Sequence, residues 1–327
     1  MNWRFSQRNL ILSLLFLLAL VAIAAIAIGR VYINPISGLS DELYRTILLD
    51  IRLPRVLLAI LVGATLGLSG AALQGLLRNP LADPGIVGVS SCAALGAVIV
   101  LYSGLASVAW YLLPIGGMLG ASLSVIIVYL LAGQRSSLLT LILAGMAINA
   151  IVSALISLVL NVAENPFAMS EIVFWLLGSL ANRSIDDVLI ATPFMLVGWV
   201  LILSSGRFLD ALSLGEDTAQ TLGYEANVWR WVVIIGVACS VGAAVSVSGN
   251  IGFVGLIVPH ILRPLVNFEP KRLLILSAIA GALLLVVADI VVQWVSGTVE
   301  LKLGVITALI GGPFFLHLVI KTRSNLW

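Results

Sequence analysis

Residues 10–28 read LILSLLFLLALVAIAAIAI, an uncharged apolar run held between Arg8 and Arg30. The hydrocarbon core of a bilayer, roughly 30 Å thick, is crossed by a helix of about 20 apolar residues, so this stretch is long enough to span. A secretory signal core of about 7–15 residues is shorter. Small-residue triplets such as Ala22-Ile23-Ala24 leave cleavage open, but the run reads as a first transmembrane helix.

The same pattern recurs along the chain. Apolar runs between charged or Gly/Pro-rich breaks give ten candidate helices, near 10–29, 54–76, 86–103, 108–132, 138–161, 187–205, 230–249, 252–266, 272–295 and 303–320. Pro114 and Pro259 interrupt the fourth and eighth, which membrane helices tolerate when neighbours satisfy the freed carbonyls. Composition agrees: 61% of the 327 residues are hydrophobic and 10% charged, against about 25% charged in a soluble domain. The expected class is an all-α polytopic membrane protein, one transmembrane domain over 1–327. Gly63, Gly67, Gly70 and Gly75 in the second helix, and Gly116, Gly117 and Gly120 in the fourth, predict close helix packing in lipid.

Basic residues set the expected orientation. With the amino terminus inside, Arg4, Arg8, Arg78, Arg135, Arg207, Arg230, Arg263, Lys271, Arg272, Lys321 and Arg323 face the cytoplasm. Arg30, Arg45, Arg52, Arg55, Arg183 and Lys302 face outward, eleven against six, and both termini lie inside. Segments 30–53 and 162–186 then lie outside and 206–229 inside, each too polar to span. Residues 165–184 have a helix-like apolar pattern that suits a helix at the interface. Net charge of +2 without a basic block gives no reason to expect nucleic acid. Cys92 and Cys239 read as separate buried thiols. His260, after Pro259, is expected to bond the freed backbone there, and no H-E-x-x-H or ligand cluster suggests a metal site.

The inner segment LDALSLGEDTAQTLG, residues 209–223, is punctuated by Gly215 and Gly223, consistent with two short helices and a turn. Glu216 and Asp217 suit the start of the second. Leu212, Leu214, Ala219 and Leu222 form an apolar face on an element too short to cross. Its polar face is acidic, which disfavours anionic lipid and favours a partner. No G-x-x-x-x-G-K-[ST] occurs, so the chain has no phosphate-cradling loop for ATP. Asp289, within the apolar run 283–295, is a functional candidate by default, with hydrogen-bonded packing the favoured role. Glu164, Asn165 and Glu171 read as solvated loop residues.

Several stretches together carry a family resemblance: Arg52-Leu53-Pro54-Arg55, Gly70-Ala71-Ala72-Leu73-Gln74, Arg78 to Gly85 (RNPLADPG), Leu143-Ala144-Gly145, Phe174 to Leu180 (FWLLGSL), the 214–223 loop, Gly252 to His260 (GFVGLIVPH), Ala288-Asp289 and Gly311-Gly312-Pro313. In this order and spacing the chain resembles, over nearly its whole length, the FecCD/cobalamin-type permeases of bacterial ABC importers. These move ferric siderophores, haem or cobalamin across the inner membrane. The resemblance implies a type II importer permease fold, a homodimer or pseudodimer around a central path, two ABC ATPase subunits below and an extracytoplasmic binding protein above. No cofactor is implied, and the work of ATP enters through docking. The 209–223 loop becomes the ATPase-coupling element, with Leu212, Leu214, Gly215, Glu216, Asp217, Ala219, Leu222 and Gly223 at the contact.

By the same resemblance Arg52 and Arg55 pair with acids of the binding protein; read from charge alone they would anchor the helix end. Gln293 stands where the cobalamin member has a further basic residue, and Lys302 is the candidate substitute. Pro80 forces a loop after the second helix, with Asn79 a natural cap. The resemblance makes this turn, with Asn79 and Leu81, one side of a cytoplasmic gate opposite Ser137, Leu138 and Leu139, an apolar neck able to exclude water. The expected cargo is an iron chelate, with cobalamin the alternative and an oxyanion such as molybdate more distant. A secondary transporter would need a midplane ionisable site, for which Asp289 is the candidate.

Overall fold

The computed structural model describes residues 7–29, 33, 41–133, 138–295 and 301–324; Arg4, Arg30, Arg135 and Ser137 lie outside them. The described chain is helical: α1 (Gln7–Ala27), α2 (Glu42–Thr46), α3 (Leu53–Leu76), α4 (Val89–Tyr102), α5 (Leu112–Ala132), α6 (Leu138–Asn161), α7 (Pro166–Leu176), α8 (Ile185–Ser204), α9 (Gly206–Ser213), α10 (Glu216–Thr221), α11 (Ala226–Ser248), α12 (Val254–Leu262), α13 (Pro270–Val295) and α14 (Leu303–Ser324). Among the described residues seven helices are long and apolar enough to cross a membrane. Shorter apolar helices cover the other expected spans, at Val89–Tyr102, Val254–Val266 and Leu303–His317. The fourth short one, Pro166–Leu176, is the helix expected at the interface.

Two boundaries differ from expectation. The second span begins at Glu42 rather than residue 54, because α2 runs through a π-helical turn (Ile47–Arg52) directly into α3. Asp41 starts it by accepting from the Leu43 and Tyr44 amides. Pro54 has no N–H to give and crowds the carbonyl four residues back; the widened turn just before it, in which Leu53 N–H reaches the Leu48 carbonyl, accommodates the ring without breaking the helix. Likewise α5 starts at Leu112 rather than 108, which puts Pro114 in the first turn, where a missing donor costs little.

Pro259 does sit inside α12. The carbonyl it frees, that of Gly255, accepts from Gln74 Nε2 at 3.3 Å. A neighbouring helix thus serves the break, while His260 stands edge-on to Phe314 with centroids 5.9 Å apart.

Among the helices of spanning length, α3 and α11 are enclosed, α13 half enclosed and α1 almost wholly exposed; the short α12 is also largely buried. Close backbone approach selects the neighbours of α3. A Cβ on Gly67 would lie 2.0 Å from the Ser277 carbonyl oxygen, and one on Gly63 2.4 Å from that of Gly281, both on α13. A Cβ on Gly70 would lie 1.9 Å from the Gly255 oxygen on α12. Gly75, on the same helix, differs: its Cβ would meet only the Leu209 side chain at 3.6 Å, an ordinary contact. Gly67→Ala is therefore expected to destabilise by about 1–3 kcal/mol through overpacking. Gly75→Ala is expected to be neutral or stabilising by up to ~1 kcal/mol, from reduced backbone entropy. Thermal unfolding of the two variants in the same detergent checks the contrast, and equal melting temperatures would refute it.

Candidate functional site

At one end of the bundle α9 and α10 form a ledge. The chain leaves α8 at Ser204 and turns straight into α9 at Gly206, where a Cβ would lie 2.9 Å from Lys271 Cγ. Phe208, Leu209 and Leu212 of α9 are buried. Phe208 stacks on Trp229 of α11 at 6.0 Å and 19°, with Tyr224 tilted against it at 5.9 Å. Gly215 (φ +131°) and Gly223 (φ +87°) make the turns that bound α10; side chains strain such backbone.

Three polar links tie the ledge to the enclosed helices. Arg78, just past the end of α3, donates to the Leu212 carbonyl. Asp210 Oδ1 accepts from the Lys271 backbone N–H at 2.8 Å and so caps the start of α13. Glu216 pairs with Arg230 of α11 at 2.7 Å. The ledge is thereby fastened to the ends of α3, α11 and α13.

The eight residues assigned to this contact from sequence divide by environment. Leu212 and Ala219 are buried, Gly215 is half-buried, and Glu216 is held by its ion pair. Leu214 and Leu222 are 72% and 61% exposed, and Asp217 and Gly223 are also exposed. The exposed group is the side open to a partner, and the half-exposed Glu216 borders it, because a helix this short must spend one face on its own core. Beside it lies a groove of about 440 Å³ lined by Glu216, Gln220, Tyr224, Glu225 and Asn227. Sequence reading missed Tyr224 and Glu225; the aromatic cluster that places Tyr224 joins residues from both sides of the loop.

At the opposite rim the outer arginines have partners within the chain. Arg52 is 7% exposed and its Nη1 donates to the carbonyls of Ile26 and Ala27 at 2.8 Å, capping the end of α1. Arg55 grips Asp289 of α13 in a bidentate pair, Nε–Oδ2 and Nη2–Oδ1 both 2.8 Å. Gln293 adds a third contact to Asp289 Oδ2 at 2.8 Å. Both arginines thus anchor helix ends within the chain, Arg52 on open carbonyls and Arg55 on a buried carboxylate through charge-assisted bonds. Gln293, one turn after Asp289, completes this cluster. Lys302 Nζ lies over the Phe174 ring of α7 at 5.7 Å.

The turn after α3 carries the expected gate residues. Arg78 adopts φ +48°, and Asn79 accepts from the Leu81 N–H at 2.9 Å. Asn79 is exposed and Leu81 half-buried; at the start of α6 Leu138 is half-buried and Leu139 exposed. Asp83 accepts from Gly85 N–H at 2.9 Å; burial pushes its carboxyl above the usual carboxylate range, and that bond opposes the shift. Not foreseen is a clasp from this turn to α6: Asn149 donates to the Gly85 carbonyl at 2.8 Å and accepts from Ser91 at 2.6 Å. Here a Cβ on Gly145 would stand 2.0 Å from the Ile86 oxygen, which is the role of the Leu143-Ala144-Gly145 stretch. Among the described residues no three His, Cys, Asp or Glu side chains gather as metal ligands.

Comparison with known proteins agrees with this architecture. The model of the FecCD transport family matches residues 11–321. The uncharacterised ABC transporter permease protein YvrB of Bacillus subtilis is 41% identical over 293 residues, covering 88% of this chain and 82% of its own. The hemin transport system permease protein HmuU of Yersinia pestis is 36% identical over 333 residues, covering 99% of each chain. A solved structure described as an inward-facing metal-chelate type ABC transporter superposes with a TM-score of 0.88 at 35% identity, over 96% of this chain and 99% of that one. With the family model spanning nearly the whole sequence, the ledge and the enclosed helices are those of a membrane permease, and the chain belongs to the FecCD transport family of ABC transporter permeases.

Proposed function

We propose that this chain forms, with a second copy, the transmembrane path of an ATP-driven importer for an iron chelate, ferric siderophore or haem. Two ATPase subunits dock on the ledges, and an extracytoplasmic binding protein delivers cargo at the opposite rim. The chain lies in a bacterial inner membrane with both termini cytoplasmic. The observation that carries the reading is the ledge: two exposed leucines on an element whose buried side is fastened to α3, α11 and α13. ATP binding and hydrolysis in the partners move this ledge, and the helices it holds rock between outward and inward access. The turn with Asn79 and Leu81, clasped to α6 through Asn149, meets Leu138 and Leu139 as the inner gate.

The family supports an importer, and relatives such as HmuU, named for hemin, support a chelate as cargo; cobalamin is the alternative within the same machine. Arg52 and Arg55 fix the rim that the binding protein meets, and Lys302 with Phe174 lies at its edge. An ion-coupled carrier is disfavoured because Asp289, its one candidate site, is locked by Arg55 and Gln293. Reconstitution in liposomes with the ATPase and binding protein tests the proposal. Labelled haem or ferric siderophore is expected to enter only with ATP inside the ATPase compartment, irrespective of a clamped proton gradient. Uptake that follows the proton gradient without ATP would overturn it.

A further inference from the structure

Between the end of α3, the end of α9 and the turn after α12 lies a cavity of about 220 Å³, lined in part by Gln74, Arg78, Ser213, Arg263, Phe268 and Leu273. None of its lining residues is acidic. Arg263 Nη2 donates to Gln74 Oε1 at 2.6 Å, and its buried Nε has no hydrogen-bond partner among the described residues. Arg78 gives one nitrogen to the Leu212 carbonyl. Amide and carbonyl oxygens accept hydrogen bonds but cancel no charge. Of the acids nearby, Glu269 is paired with Arg272 and Asp210 caps α13 at the Lys271 amide. Two guanidiniums therefore line one recess, neither in an ion pair among the described residues, an arrangement that favours an anion with several acceptor oxygens. Arg78 is held there at φ +48°, a conformation that costs about 1–3 kcal/mol and clusters at ligand sites.

The volume is below the roughly 300–1,000 Å³ of pockets for drug-sized ligands, which excludes a whole chelate and suits a phosphate headgroup. Apolar side chains are exposed beside it: Ile261 near the end of α12, Leu265 in the 3-10 turn that Arg263 opens, and Phe268 just after that turn. Charge in the recess with apolar side chains at its lip matches a lipid, head inward and chains outward. We propose that this cavity binds the phosphate headgroup of an anionic phospholipid of the leaflet on the ledge side. Naming that leaflet as the inner one rests on the orientation proposed above. The lipid would brace the α3 end and the ledge, the parts that coupling must move.

Native mass spectrometry of the full chain, titrated with phosphatidylglycerol and with phosphatidylcholine, tests it. The glycerol lipid is expected to bind preferentially. Arg263→Gln should weaken it about fivefold, and Arg78→Gln with Arg263→Gln about 25-fold; Arg263→Lys should retain most of the affinity. Ser213→Asp, which supplies an internal anion and leaves both arginines in place, should also release the lipid without lowering the melting temperature, which separates site loss from misfolding. Equal binding of the two lipids, or unchanged affinity in the double variant, overturns the proposal. Stabilisation by inorganic phosphate alone, matching that by the lipid, would assign a free anion and overturn the lipid source. Release of ATPase subunits by these variants with lipid binding unchanged would assign the recess to an acidic partner surface, also overturning it. Cleavage of a carboxy-terminal tag only in inside-out vesicles checks the orientation separately.

Discussion

Asp289→Ala is expected to destabilise the folded chain by about 3–5 kcal/mol, the cost of leaving one member of a buried ion pair without its partner. Asp289 is 3% exposed as a side chain, Arg55 16%, and the two join the first turn of α3 to the far end of α13. With Asp289 removed, the Arg55 guanidinium stays at the packed rim with nothing to neutralise it. Arg55→Ala alone should be comparably harmful, because it orphans the carboxylate instead. The double variant Arg55→Ala, Asp289→Ala should recover a large part of the loss, since neither charge then remains. Gln293→Leu removes one contact to the carboxylate and should cost about 1.5–3 kcal/mol. Unfolding in mixed detergent, followed by circular dichroism, gives the cycle. Losses that simply add would show that the pair is not coupled. Charge reversal at Arg55, an obvious probe of binding-protein docking, would set a second acid against Asp289, so a folding readout must accompany it.

Leu214→Asp combined with Leu222→Asp is expected to weaken attachment of the ATPase subunits about 100-fold or more and to abolish uptake. Burying an exposed leucine at an interface is worth about 1.5–3 kcal/mol, at least tenfold per residue. The chain itself should fold normally, because both side chains project outside the core. Leu212→Asp makes the informative contrast: Leu212 is buried beside Phe208 and Leu209, and a carboxylate there should destabilise the permease before any partner arrives. Co-purification of the ATPase with each variant, and transport in liposomes, separate the two. Retained attachment and uptake in the Leu214, Leu222 double variant would remove the ledge from the mechanism.

Much of the ledge was legible because its signals are local. Gly215 and Gly223 mark turns, and the apolar residues of 209–223 are too few to cross a bilayer. Their division into inward Leu212 and outward Leu214 was not, since it depends on where Phe208 meets Trp229 and Tyr224. The pairing at the rim was hidden for a similar reason. Arg55 and Asp289 are 234 positions apart, and nothing near either names the other. Gln74 lies in a recognisable stretch, yet its task, serving the carbonyl that Pro259 frees, appears only when α3 and α12 touch.

The sequence alone determined residence in lipid, the number and position of the apolar runs, the ledge and the lack of a nucleotide loop, because each follows from run length, charge and backbone chemistry within a few residues. Only the tertiary structure decided which helices are enclosed and which side chains pair. Many of these helices are apolar around most of their circumference, and a lipid tail solvates a leucine as well as a protein core does. Hydropathy therefore carries no record of the buried face. Close backbone contacts at Gly63, Gly67 and Gly70, and a handful of polar pairs, make that choice.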